Sequence, residues 1–282
     1  MKHIYELCAF ADEAAETLTG QISAMKACGI NWLEIRGVDG KNISKLSNSE
    51  ACKARSKLDR AGIQVWAIGS PTGKIDISEN FEPHMDEFRH MVELAGILGA
   101  SHYRLFSFYG AKSSIARDIV MERLDIIAKT ADGSGITLCH ENEKDIYGET
   151  AEYCVDIHKT IPKIKAVFDP ANFIQAGQNV ITAWDLLQPY VEYLHIKDAR
   201  KNGSLVPAGL GDAQIEELIE RYGHIGGGML TLEPHLSYFS GLENLERDTR
   251  SLVGADGVRQ YPSQRAAFDV AAEALKKILV GA

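Results

Sequence analysis

One sequence pattern recurs along the chain and limits the folds that the chain can adopt. A stretch with helical periodicity ends in a small residue and glycine, and a β-rich apolar run follows, as in AMKACGINWLEI, KLDRAGIQVWAI, AGILGASHYRLF and TADGSGITLCHE. Gly29, Gly62, Gly99 and Gly135 stand where the end of a helix needs a residue in the left-handed conformation. The phrase repeats roughly every 35 residues, the length of one strand plus one helix.

The later part of the chain continues the alternation with IKAVFD, VEYLHIKD and GMLTLEPH. Strand candidates then begin near residues 4, 32, 64, 102, 136, 165, 191 and 229, each followed by a helical segment. Eight β/α units in 282 residues predict an α/β fold, a (β/α)8 TIM barrel, with residues 1–282 as a single domain. A doubly wound open sheet is the alternative, but CAFADEAAE, after the first strand, lacks the glycine-rich phosphate turn of that fold.

Composition excludes several classes of function. The net charge of -9 disfavours nucleic acid as a partner, because binding a phosphate backbone draws on clustered Lys and Arg. The opening MKHIYE lacks the apolar run of a signal peptide, and no run of about 18 uncharged apolar residues follows. We therefore expect a cytoplasmic protein with no membrane partner. The five scattered cysteines form no CxxC pair, so neither a disulfide framework nor a zinc ribbon is indicated.

The last four strands all end in residue types that bind metals. Glu141 ends ITLCHE, Asp169 ends AVFD, His195 lies in YLHIKD and Glu233 ends LTLE. In a TIM barrel these strand ends meet at the face where the active site lies. Any one of them alone could be a helix cap, a loop residue or a core histidine, but four successive strands ending this way predict a metal site.

Strand periodicity supports this convergence. Because side chains alternate between the two faces of a strand, Tyr193, His195 and Lys197 share the inner face, and so does Asp169 on the preceding strand. An oxygen-rich site with one histidine predicts one divalent cation. It favours Mn²⁺ or Mg²⁺, admits Co²⁺ and disfavours Zn²⁺, since no cysteine contributes.

The motifs HENE, FDPAN, HIKD, PAGLGD and LEPH, in this order, resemble the xylose-isomerase-like TIM barrel family of sugar phosphate isomerases and epimerases. The resemblance spans nearly the whole chain. It implies that Glu141, Asp169, His195 and Glu233 bind one divalent cation, Mn²⁺ in the first place. It also implies that Glu141 and Glu233 flank the substrate as a catalytic acid/base pair.

The chemistry implied by the resemblance is isomerisation or epimerisation of a small sugar, ketose or polyol, with or without a phosphate. A proton next to the carbonyl is abstracted, and the cation stabilises the resulting enediolate. A lyase similar to inosose dehydratases, on the same metal site, is the alternative. A non-catalytic sugar-binding barrel and an apurinic endonuclease are remoter. Homo-oligomers occur in the family and are an open expectation here.

Five further residues are candidates for binding the substrate: Asn172, Lys197, Arg200, His235 and Glu34. Lys197 follows His195 on the inner face, and His235 follows Glu233 by two residues. Glu34 ends the second strand candidate and is expected at the polar rim, with a salt bridge to the nearby Arg36 as its structural alternative. Arg200 lies in the loop after HIKD.

The sequence departs from the family at two points. Many ketose 3-epimerases have a histidine where this chain has Asn172, and an amide can hydrogen-bond a hydroxyl but cannot carry a proton at neutral pH. Apurinic endonucleases need extra histidines, which are missing near AIGS, RLFSF and KNGSLVPAGLGD. DNA repair is therefore disfavoured. Asp198 is expected to support its loop.

Overall fold

The computed structural model describes residues 3–111, 114–239 and 261–281. Eight parallel strands close into one barrel, which confirms the predicted TIM barrel. In chain order, barrel strands one to eight are Glu6–Ala9, Trp32–Ile35, Gln64–Gly69, His102–Leu105, Thr137–Glu141, Lys165–Phe168, Val191–Ile196 and Met229–Leu232. Each strand pairs with its neighbours in sequence, and the first pairs with the eighth, with Glu6 opposite Met229. The eight predicted strand positions are therefore confirmed.

Helices follow the strands and pack around the barrel. The α-helices in the described ranges are Leu18–Ala27, Asn48–Ala61, Phe81–Leu98, Ser114–Thr130, Ala151–Thr160, Pro170–Gln175, Val180–Leu187, Ile215–His224 and Gln264–Gly281. Short 3-10 turns occupy Ala11–Glu13, Ile43–Lys45 and Tyr147–Glu149. Two small antiparallel hairpins, Gly37–Val38 with Lys41–Asn42 and Asp198–Ala199 with Leu205–Val206, stand outside the barrel.

Three of the four recurring glycines stand at or directly after a helix cap as the sequence predicts, whereas Gly135 lies five residues beyond the end of the helix Ser114–Thr130. Gly62 and Gly99 cap their helices in the left-handed conformation, with φ of 71° and 72°. Residues with a side chain rarely adopt that conformation, so glycine is the residue that lets the chain turn from helix to strand.

Most of the buried apolar residues in the described ranges form two separate layers. A large cluster lies between the outer face of the barrel and the helices. Inside the barrel a smaller cluster contains Cys8, Cys139, Val167, Tyr193 and Met229. This inner layer fills the barrel below the strand ends, so the polar side chains that follow on the same inner face lie at the carboxyl end.

The cysteines and the helices allow two further observations. All five cysteines are free thiols. Within the described ranges no helix is both long and apolar enough to cross a membrane.

Candidate metal centre

The ends of barrel strands five to eight bring three carboxylates and one imidazole together. Glu141 is the last residue of the fifth strand, Asp169 follows the sixth, His195 lies on the seventh and Glu233 follows the eighth. One ligand atom from each lies within 4.8 Å of the others, and all four residues are buried. Atoms at this spacing can share one cation at roughly 2.0 to 2.6 Å from each.

Each glutamate uses its two oxygens differently. Glu141 Oε1 lies 3.0 Å from His195 Nδ1, whereas its Oε2 accepts a hydrogen bond from Arg104 at 2.9 Å. Glu233 Oε2 also lies 3.0 Å from His195 Nδ1, and its Oε1 accepts from Arg36 at 2.8 Å. One oxygen of each glutamate therefore faces the common point, and a buried arginine fixes the other.

Asp169 divides its oxygens in the same way. It is the N-cap of the helix Pro170–Gln175, and its Oδ1 accepts from the backbone N–H of Asn172 at 3.0 Å. Its Oδ2 lies 2.8 Å from Lys197 Nζ. The side chain of Asn142 holds the Asp169 backbone from the neighbouring loop, donating to its carbonyl and accepting from its N–H. Capping a helix and facing the ligand cluster are thus compatible roles for one carboxylate.

His195 presents Nδ1 to the cluster and Nε2 to the barrel interior. Its Nε2 lies 3.2 Å from Glu34 Oε2. The structure therefore places Glu34 on the far side of His195 from the other three ligands, fully buried and hydrogen-bonded to Tyr193 as well. The alternative, a salt bridge between Glu34 and Arg36, does not form in the described part of the chain, and Arg36 pairs with Asp12, Glu13 and Glu233 instead.

The donor set and the buried charge suit a divalent cation. Asp169 Oδ2 and Glu233 Oε2 are buried and lie within ion-pair distance of Lys197 and His195, but neither oxygen accepts a hydrogen bond of suitable angle from the described residues. Around them the buried carboxylates outnumber the permanently charged buried cations. The carboxylates are Glu13, Glu34, Glu141, Asp169 and Glu233, and the cations are Arg36, Arg104 and Lys197. Three carboxylate oxygens and one imidazole nitrogen are ligands that Mn²⁺ and Mg²⁺ accept.

The pKa shifts reflect the same imbalance. Burial, together with Glu141 and Glu233, raises the pKa of Asp169 to about 7 even though Lys197 opposes the shift. Burial would also raise the pKa of Glu141, but His195 and Arg104 outweigh it and lower that pKa to about 2. Burial opposes protonation of His195, but the neighbouring carboxylates raise its pKa well above the usual value. Without a cation the cluster therefore tends to hold protons at His195 and Asp169, which a bound cation would displace.

Two of the predicted substrate contacts lie beside the ligands. Lys197 is buried and forms ion pairs with Asp169 Oδ2 at 2.8 Å and with Glu233 Oε2 at 3.8 Å. The Asn172 side chain donates to the backbone carbonyl of Asn142 at 2.9 Å and lies 3.5 Å from Glu141 Oε1. Their contact with a substrate stays a prediction.

His235 lies on the other side of Glu233. Its Nε2 is 3.4 Å from Glu13 Oε1 and 3.5 Å from Glu233 Oε1. Its φ of 45° is in the left-handed region, and its backbone N–H donates to Glu13 Oε2 at 2.7 Å. Burial lowers the pKa of His235 to about 3, so the ring is neutral at pH 7. Arg200 is half-buried in the turn after Asp198–Ala199, and its role stays a prediction.

Asp198 supports its loop as predicted. Its Oδ2 accepts from the backbone N–H groups of Gly209 and Gly211, each at 2.9 Å, and its Oδ1 accepts from Ala213 at 3.1 Å. One carboxylate therefore ties PAGLGD to the end of the seventh strand. Gly211 has no room for a side chain, because a methyl group there would overlap Asp198 Oδ1 and the carbonyl of Ala199.

The sequence analysis did not predict that three buried residues, Arg36, Arg104 and Glu13, would support the site. Arg104 pairs with Glu141, while Arg36 bridges Glu13 and Glu233. The usable signal was the alternation in HYRLF and WLEIRG, which places each arginine on the inner face of its strand. An arginine inside a barrel needs carboxylate partners, and the site offers them.

A closed eight-stranded parallel barrel with a carboxylate and histidine cluster at its carboxyl end defines an α/β-barrel of the kind that binds small molecules at that face. Residues 22–278 match the family model described as xylose isomerase-like TIM barrel. The chain belongs to this family.

Individual relatives are distant. The chain is 24% identical over 172 residues to the uncharacterized protein YihM of Escherichia coli (strain K12), covering 60% of this chain and 49% of the relative. It thus spans about half the length of that curated relative. Among solved structures it is similar to D-psicose 3-epimerase from Clostridium cellulolyticum H10, with a TM-score of 0.74, 16% identity and coverage of 97% and 98%. It is also similar to the probable 3-DHS dehydratase AsbF from Bacillus anthracis, with a TM-score of 0.72, 15% identity and coverage of 97% and 98%. At these identities the likeness concerns the fold.

Proposed function

We propose that the protein is a divalent-metal-dependent isomerase or epimerase that acts on a small sugar, ketose or polyol. The observation that carries the proposal is the convergence of one ligand atom each from Glu141, Asp169, His195 and Glu233 within 4.8 Å. When bound, the cation would supply positive charge that stabilises the negative charge left on the substrate oxygens after a proton has gone. Mn²⁺ is the cation we favour.

Glu141 and Glu233 are the proposed acid/base pair. Their oxygens outside the ligand cluster, Glu141 Oε2 and Glu233 Oε1, lie 2.9 Å and 3.7 Å from the same nitrogen of Arg104. Both carboxylates thus border the same guanidinium beside the ligand cluster. A substrate carbon held between the two glutamates could lose its proton to one and receive a proton from the other, which inverts its configuration. A proton moved to the neighbouring carbon would give isomerisation.

The remaining residues would bind and orient the substrate. Lys197 and Asn172 lie beside the ligand cluster and can donate to substrate oxygens, and neutral His235 lies beside Glu233. Asn172 cannot carry a proton, so proton transfer is assigned to the glutamates alone. Arg200 is kept as a candidate for holding the far end of the substrate.

A lyase on the same site is the second candidate. Removal of a hydroxyl group after the same proton abstraction needs no additional metal ligand, and the resemblance includes inosose dehydratases. The similarity in fold to a probable 3-DHS dehydratase makes this alternative worth testing in the same assay.

The test is proton exchange with solvent. The Mn²⁺-loaded protein is incubated in D₂O with a panel of ketoses, inososes and hydroxypyruvate, and NMR follows the proton next to each carbonyl. We expect exchange with at least one compound, accompanied by an epimer or isomer, or by an unsaturated product if the enzyme is a lyase.

Variants of Glu141 and Glu233 test whether these residues are the acid/base pair. Glu141→Gln and Glu233→Gln should each reduce turnover at least about 100-fold, in line with the usual contribution of general acid/base catalysis. They should still bind Mn²⁺, because an amide oxygen can replace a carboxylate oxygen. Glu192→Gln, at the start of the seventh strand, is the control and should leave turnover unchanged. Absence of exchange with every compound would contradict the proposal.

A further inference from the structure

Glu34 is a buried carboxylate that the proposed chemistry does not use. Its side chain is fully buried on the second barrel strand. Glu34 Oε2 lies 3.2 Å from His195 Nε2, and Glu34 Oε1 accepts a hydrogen bond from the Tyr193 hydroxyl at 3.0 Å. Both oxygens are thus engaged by side chains of the seventh strand, on the opposite side of the barrel interior.

The backbone at Glu34 departs from regular pairing. The register between the second and third strands shifts between Leu33 and Glu34, because Trp66 is an extra residue on the third strand. Such irregularities change the direction of side chains relative to a regular sheet, and they are common beside functional sites. Here the shift accompanies a carboxylate that reaches across the barrel to an imidazole.

We propose that Glu34 is a positioning residue that orients His195 for the metal ion. The inference rests on the proposed metal site. His195 Nδ1 lies 3.0 Å from both Glu141 Oε1 and Glu233 Oε2, so Nδ1 is the atom that faces the cation position. A ring nitrogen that binds a cation must be free of its proton, which leaves the proton on Nε2. Nε2–H then donates to Glu34 Oε2.

The position of Glu34 fixes three properties of His195 together. It selects the tautomer with the proton on Nε2, it holds the plane of the ring, and its charge makes Nδ1 a stronger ligand. Tyr193 in turn holds Glu34 through Oε1. Each of the other three ligands also has its own support: Arg104 for Glu141, the N–H of Asn172 for Asp169 and Arg36 for Glu233.

The same chain contains a matched pair that serves as a control. His102 Nε2 lies 3.3 Å from Glu192 Oε1, near the start of the fourth and seventh strands. Neither residue belongs to the ligand cluster. Glu192→Gln therefore changes a carboxylate next to a histidine without touching a metal ligand.

The experiment measures the affinity for Mn²⁺ by EPR of the free ion, with purified wild-type protein, Glu34→Gln, Glu34→Ala, Tyr193→Phe and Glu192→Gln. Loss of a carboxylate behind a histidine ligand typically weakens metal binding about 10- to 100-fold. We expect Glu34→Ala in that range, Glu34→Gln near its lower end because an amide oxygen still accepts from Nε2–H, and Glu192→Gln at the wild-type value. The absorption spectrum of bound Co²⁺ should change in the Glu34 variants and remain the same in Glu192→Gln.

These measurements distinguish positioning from a purely structural role. If the Glu34 variants unfold more easily without metal but bind Mn²⁺ with wild-type affinity and an unchanged Co²⁺ spectrum, the inference is wrong. Should Glu34→Ala fail to fold, Glu34→Gln and Tyr193→Phe decide by the same criterion. If wild-type protein binds no Mn²⁺, the proposed metal site itself is wrong and this inference falls with it.

Discussion

The pairing of Arg104 with Glu141 makes a quantitative prediction about stability. Arg104 is 2% exposed, its Nη1 lies 2.9 Å from Glu141 Oε2, and its guanidinium packs against Phe10 and Phe106. At this distance and an effective dielectric constant of 20, the attraction between the two charges is about 6 kcal/mol. Desolvation of both groups offsets part of it. Breaking such a buried pair by removing one partner costs about 3–5 kcal/mol.

The perturbation is Arg104→Met, which keeps most of the apolar stem and removes the guanidinium. The free energy of unfolding should fall by about 3–5 kcal/mol, because buried Glu141 loses its guanidinium partner and keeps only His195 beside its charge. The measurement is denaturation by guanidinium chloride followed by circular dichroism. EDTA is present throughout, so that no divalent cation substitutes for the missing charge.

Arg89→Met is the matched control. Arg89 is half-exposed and pairs with Glu82 and Asp86 at the protein surface, so its loss should cost less than about 1 kcal/mol. If Arg104→Met loses no more stability than Arg89→Met, the buried Arg104–Glu141 pair does not contribute as expected.

Two further predictions concern other parts of the fold. Gly211→Ala should destabilise the protein by about 1–3 kcal/mol in thermal or chemical unfolding, because the added methyl group overlaps Asp198 Oδ1. Gly228→Ala is the control and should change stability by less than about 0.5 kcal/mol, because a methyl group there meets no atom within 4 Å. Burial lowers the pKa of His158 to about 4, so between pH 6.5 and 4 the unfolded state binds a proton that the folded state does not, and His158 costs stability as the pH falls. Relative to His158→Gln, the wild-type protein should therefore lose up to about 3 kcal/mol between pH 7 and pH 4; parallel pH profiles for the two proteins would contradict this.

Much of the barrel was predictable because its signals are local. The glycines that end helices and the apolar runs after them repeat along the chain, and the structure has a barrel strand at each predicted position. The cluster was also accessible, since strand periodicity fixes the inward direction of His195, and Glu141 and Asp169 stand at the ends of their strands. The position of a residue along its strand is therefore enough to predict that it lies at the carboxyl end of the barrel.

The partners of the buried charges were not predictable in the same way. Glu34 and Arg36 are two residues apart on one inner face, which suggested a salt bridge between them. The structure instead pairs Glu34 with His195, 161 positions away, and Arg36 with Glu233, 197 positions away. These contacts depend on how the barrel closes and how the strands are staggered, which no local pattern specifies.

Asp169 shows that a correct local prediction can still miss a residue's role in the site. An aspartate after a strand and before proline predicts an N-cap, and the structure contains that cap. The sequence signal for the cap cannot reveal that the same carboxylate lies in one cluster with Glu141, His195 and Glu233. That information comes from the neighbouring strands.

We propose that one divalent cation binds at the ends of strands five to eight. The most direct measurement is anomalous diffraction from crystals of the protein grown with Mn²⁺. We predict a single strong peak per chain at about 2.0 to 2.6 Å from Glu141 Oε1, Asp169 Oδ2, His195 Nδ1 and Glu233 Oε2. If no peak is found there at saturating Mn²⁺, or if the peak lies out of coordination distance of His195 and Asp169, the four residues do not form the proposed metal site.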